Sequence, residues 1–243
     1  MRIRLGSVEA QLATAIGHVN AGRAGSALQI CEEAAAAHAP DPAVLQLLAV
    51  LRLQKGDIPA AGECIAASLA LRPDHGPSLL VAGDVARVAG DLQSALDHHQ
   101  RACRLMPERA DAAFALARTL RELSRDAAAE AALEATIALA PDHAQAWFAL
   151  ALVRQDLRDF TGAARALRQL LLVAPPRAEV EVNLGIVLQE ASDVDGAWRA
   201  YGRAYRLRED SFGRIAHALA ASGNGQLWLD LAALRDHLRT MPD

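Results

Sequence analysis

The chain has 243 residues, 52% of them apolar but only 4% aromatic. Much of that apolar content is alanine, the best helix former, so the composition favours thin, closely packed helices over a sheet. The net charge of −4 gives no footprint for nucleic acid, no run of apolar residues is long enough to span a membrane, and Cys31, Cys64 and Cys103 lack the spacing of a zinc site and the even count of a disulfide framework.

In chain order, the opening "MRIRLGSVEAQL" carries two arginines, but Glu9 interrupts before any apolar stretch of useful length. No secretory signal is expected, and a cytoplasmic protein is the default. Only Lys55 among the 25 basic residues is a lysine, a bias of the kind that a GC-rich bacterial genome imposes. From about residue 8 the text repeats itself. Pro73, Pro107, Pro141 and Pro175 follow one another at intervals of 34 residues, in the contexts "LALRPDH", "CRLMPER", "IALAPDH" and "LLVAPPR". A period of this length marks a helix–turn–helix repeat.

With that proline at position 32, position 20 is Ala61, Ala95, Ala129, Ala163 and Ala197, and position 8 is Ala49, Gly83, Ala117, Ala151 and Gly185. Small residues recur where two helices must approach. Position 15 reads Gly56, Gly90, Ser124, Arg158 and Ser192, in an inner turn that also carries Asp57, Asp91, Asp126, Asp159 and Asp193. These carboxylates are expected to cap the second helix of each pair. The proline ends that helix, because it forces the preceding residue out of helical geometry. Six units follow, about 8–41, 42–75, 76–109, 110–143, 144–177 and 178–211. The first, with Gln11 and Thr14 at apolar positions, and the last, with Glu209 for the proline, read as edge units.

After residue 210 the period stops. Asp210 or Ser211 is expected to start a helix over about 212–221, "SGNG" to break it, and Asp230 to start a last helix. Leu229 and Leu234 are placed as a hydrophobic staple, with Leu227, Leu231, Leu234 and Leu238 on one face. Residues 211–243 thus read as capping helices; alternatively Trp228 and Leu229 dock a partner.

The pattern resembles the tetratricopeptide repeat family. Trp147, Leu150, Ala151, Ala163 and Pro175 match its motif in one unit, and Leu184, Gly185, Leu188, Ala197, Tyr201 and Ala204 in the next. The resemblance covers residues 8–210 and implies an all-α fold, a right-handed superhelical solenoid of antiparallel helix pairs. It also implies a concave groove lined by the first helices. Position 5 there gives Leu12, Gln46, Leu80, Phe114, Phe148 and Val182. Position 9 contributes Asp84, Arg118 and Leu152, and position 12 Arg87, Arg121 and Gln155. Asn183 matches the asparagine ladder of O-linked N-acetylglucosamine transferase repeats, but the other units lack it. The lysines of the chaperone-tail carboxylate clamp are absent as well.

The candidate groove is therefore Asp84, Arg87, Phe114, Arg118, Arg121, Phe148, Leu152, Gln155 and Asn183. Guanidinium groups beside rings suit a peptide carrying apolar and acidic residues. Trp147, one residue before Phe148 and about 100° round the helix, is expected to be packing between repeats. No nucleophile with a positioned base is legible, and no metal or cofactor is expected: His98 and His99 are adjacent rather than i, i+4, while His75 and His143 recur as turn residues. The expected function is a non-catalytic interaction scaffold binding a protein segment. The alternatives are an accessory subunit of a modifying enzyme, such as a glycosyltransferase or sulfotransferase, and a self-associating assembly protein.

Overall fold

The computed structural model describes residues 7–221 and 230–242. They form helix pairs in steady succession: α1 (Val8–Asn20) and α2 (Ala24–Ala37), α3 (Pro42–Gln54) and α4 (Ile58–Leu71), α5 (Gly76–Val88) and α6 (Leu92–Leu105). Next come α7 (Ala110–Glu122), α8 (Asp126–Leu139), α9 (Ala144–Asp156), α10 (Phe160–Val173), α11 (Ala178–Glu190) and α12 (Val194–Leu207). A short 3-10 turn (Glu209–Ser211) leads to α13 (Phe212–Ala221), and α14 (Leu231–Thr240) closes the described chain. No strand occurs among the described residues. The odd-numbered helices from α1 to α11 begin 34 residues apart, as do the even-numbered ones from α2 to α12.

The chain divides into two compact units, Met1–Leu123 and Ser124–Asp243. In the first, α1 packs on α2, α3 on α4 and α5 on α6, and each second helix also packs on the first helix that follows. In the second, α8 packs on α9, α9 on α10, α10 on α11 and α11 on α12. Short connections make the packed neighbours antiparallel. Position 20 works as the spacing requires: Ala61, Ala95, Ala129 and Ala163 are all fully buried.

The inner turn bends through one left-handed residue at position 15 in every unit. Its φ is 71° at Gly22, 81° at Gly56, 85° at Gly90, 55° at Ser124, 63° at Arg158 and 63° at Ser192. The next residue is the helix cap. Asp57, Asp91, Asp159 and Asp193 accept hydrogen bonds from the amides of Ala60, Ser94, Gly162 and Gly196. Asp126 departs from the expectation. It is the first residue of α8, behind Arg125, which makes no side-chain cap. Its carboxylate therefore sits one residue late and can act only through its charge on the positive end of the helix.

The C-terminal helices fall where the composition change placed them. Asp230 caps α14 through the amides of Ala232 and Ala233. Leu234 and Leu238 are buried and α14 packs on α12. Leu231 is 49% exposed and does not join that face. It is the first helical residue, a turn short of where Leu234 makes contact. Leu227, Trp228 and Leu229, the expected staple and docking residues, lie outside the described residues.

Candidate functional site

In the first unit the candidate groove residues come from α5 and α7. Arg87, near the end of α5, donates through Nη1 to Glu122 Oε1 on α7 at 3.0 Å. Its Nε lies 3.7 Å from Asp84, one turn earlier. This arginine is largely buried and committed to tying two first helices together. On α7, Phe114 is half-buried, while Arg118 and Arg121 are exposed. Spacing of i, i+4, i+7 puts all three on one helical face. Both arginines are exposed, and neither joins an ion pair among the described residues.

In the second unit Phe148, Leu152 and Gln155 are half-buried along α9. Trp147, beside Phe148, turns elsewhere: its indole Nε1 donates to the Pro141 carbonyl at 2.8 Å, locking it to the proline that ends the preceding second helix. His143 caps α9 by accepting from the Ala146 amide. Asn183 is drawn off toward the chain end, its Oδ1 accepting from Arg214 of α13 at 3.2 Å. Val182, expected on the groove line, is fully buried; α13 and the 3-10 turn before it both pack against α11.

The histidines do structural work. His99 is fully buried, with Nδ1 2.8 Å from Thr119 Oγ1. Burial pushes its pKa down to about 4, with Asp84 partly opposing and Arg87 and His98 adding to the shift. It is a neutral packing ring at ordinary pH. Among the described residues, no group of three or more His, Cys, Asp or Glu could hold a metal ion. Cys31 and Cys64 are buried and Cys103 is half-buried. Burial raises all three thiols, Cys31 to about 11, the opposite of an activated nucleophile.

Two ion-pair systems escaped sequence reasoning. Arg154 on α9 donates to Glu130 at 2.7 Å and Glu134 at 2.5 Å on α8, and Arg52 lies 3.6 Å from Glu32. An arginine at position 11 facing a glutamate at position 25 of the preceding repeat occurs in both places, and that recurrence was legible. The other is Glu181, 4% exposed and gripped by the Arg203 fork at 2.9 and 3.0 Å.

Stacked helix pairs with a small-residue seam, a left-handed inner turn and an open first-helix face define a helical-repeat scaffold. The family pattern described as tetratricopeptide repeat matches residues 47–113, 74–144, 114–154 and 148–214. The chain belongs to the tetratricopeptide repeat family. No curated protein matches it. Among solved structures it is similar to Pseudomonas aeruginosa PilF, at 18% identity and a TM-score of 0.75 over 89% of this chain and 98% of that one. YrrB, described as a tetratricopeptide repeat protein with an unusual peptide-binding site, aligns at 19% identity and a TM-score of 0.65, over 73% and 91%. MamA aligns at 20% and 0.64, over 70% and 93%. At these identities the likeness is one of fold. No helix of the described residues is long and apolar enough to cross a membrane.

Proposed function

We propose that the protein is a non-catalytic scaffold that holds a protein segment on its first-helix faces, and that the segment carries apolar side chains next to carboxylates. One observation carries the reading: α7 presents Phe114, Arg118 and Arg121 on one face, and both arginines are exposed and join no ion pair among the described residues. A guanidinium accepts a carboxylate through two parallel bonds, while the adjacent ring offers an apolar contact. Arg87 serves this face as a brace rather than as a ligand, because Asp84 and Glu122 already occupy it. Phe148 and Leu152 extend the same reading to α9 of the second unit as apolar contacts. Asn183 is the weakest member, since Arg214 holds it. The peptide-binding site that names YrrB is a precedent for the ligand class on this fold.

The test is capture from the native organism on immobilised full chain, with partners identified by mass spectrometry. Arg118→Glu is exposed and should leave the helical circular dichroism and melting curve unchanged while the specific partners are lost. An identical partner set on the wild-type and Arg118→Glu chains would sink the reading.

A further inference from the structure

The second unit carries another opening, on the side of its second helices. A pocket of about 390 Å³ lies where α10, α11 and α12 meet, with Leu184 and Leu188 in its lining and Leu172 at its rim. Leu172 is 77% exposed, more than any other large apolar residue described. The sixth unit departs from the others beside this space. Position 4, Trp147 in the fifth unit, is Glu181 in the sixth, and Glu181 lines the pocket. Position 4 is Gln11, Leu45, Leu79 and Ala113 in the first four units, so the sixth alone places a carboxylate there.

Charge sets what could fill it. Three arginines line the pocket: Arg168, Arg199 and Arg203. Arg203 is neutralised by Glu181, whose buried carboxylate takes both bonds of the half-exposed fork. Arg168 is 53% exposed at the side chain and reaches Asp193 only at 3.8 Å. Arg199 is exposed and joins no ion pair among the described residues. The rim is therefore positive and the floor apolar. Burying a ring in that floor removes apolar area from water, and Arg199 and Arg168 can each take a carboxylate beside it.

We infer that this pocket is a second protein-binding site, which takes a bulky, preferably aromatic, side chain flanked by acidic residues from a partner segment. It is independent of the first-helix face: none of its residues belongs to that face. The partner's carboxylates answer Arg199 and Arg168, and its aromatic side chain contacts Leu172 and Leu188.

The probe is a fluorescein-labelled peptide of four glutamates around a central tryptophan, titrated into the full chain by fluorescence anisotropy. Saturable binding is expected. It should weaken at least tenfold for a peptide with central alanine, and at least tenfold for Arg199→Glu and for Leu172→Glu, two exposed positions where the fold tolerates change. The same losses are expected when Arg199→Glu or Leu172→Glu is added to the Arg118→Glu chain, in which any binding of the peptide at the first-helix face is weakened. The inference fails if the peptide does not bind, if the alanine peptide binds equally well, or if Arg199→Glu and Leu172→Glu leave the affinity unchanged. Loss on Arg118→Glu alone would assign the peptide to the first-helix face, supporting that proposal and overturning this one.

Discussion

A single backbone conformation repeats through all six units although the residue that adopts it changes. The left-handed residue at position 15 is glycine in the first three units, but serine or arginine in the last three. For an L-residue with a Cβ this conformation costs about 1–2 kcal/mol. Glycine removes that cost but gives back about 0.5–1 kcal/mol through the freedom of the unfolded chain. The balance favours glycine. Ser124→Gly, with φ 55° already in place, is expected to stabilise the protein by up to about 1 kcal/mol, read as a higher midpoint in urea. Gly56→Ser, at φ 81°, should lower the midpoint. A Ser124→Gly midpoint at or below wild type would show that the serine turn has compensating contacts. Asp126 belongs to the same lesson. Its place beside the turn was legible, but its one-residue offset from the capping position decides whether it makes a hydrogen bond, and only the backbone shows that.

Between elements, the seam inside each pair follows a size rule. Where position 24 carries a ring, position 8 is glycine: a Cβ built on Gly83 would lie 2.3 Å from the His99 ring, and one on Gly185 would lie 2.3 Å from the Tyr201 ring. Where position 24 is aliphatic, as at Leu133 and Leu167, position 8 is Ala117 or Ala151. Both positions were in view in the sequence. The small residues there announced a close approach, but the partner that required glycine became evident only across the helix pair. Gly83→Ala is expected to overpack the α5–α6 seam and cost about 1–3 kcal/mol. Adding His99→Leu should return most of that loss, because the double variant reproduces the alanine–leucine pair of the fourth and fifth units. Thr119 keeps its bond to the Ala115 carbonyl without the histidine. A double-mutant cycle in urea measures the coupling; strict additivity of the two changes would refute the size rule.

At the scale of the whole molecule, the 34-residue period predicted twelve helices, because the small residues recur in all six units and the terminal proline in the middle four. The candidate site was less legible, since it depends on which charges find partners. Arg87 and Arg118 look alike along their helices, yet Glu122 claims the first and no carboxylate among the described residues claims the second. Val182 is buried rather than open on the groove line, on a helix against which α13, outside the period, packs. The same dependence on burial governs the response to acid. His75, His98 and His99 all lie in the first unit, and burial depresses each of them below the ordinary 6.5, His99 to about 4. Between those two values the unfolded chain binds protons that the folded unit refuses. Stability is therefore full above about pH 6.5 and is lost as pH falls toward about 4. Asp91 and Asp111, whose carboxyls are depressed by hydrogen bonds from Ser94 and Arg109, act in a lower window, below their ordinary 3.8. Each unit of pKa difference corresponds to about 1.4 kcal/mol, so His99 contributes up to that slope per pH unit. Amide exchange of α6, corrected for intrinsic rates, should show protection falling between about pH 7 and about pH 5. His99→Leu should flatten that fall, with His75 and His98 supplying what remains. An equally steep loss in the His99→Leu chain would assign the acid sensitivity to groups other than this ring.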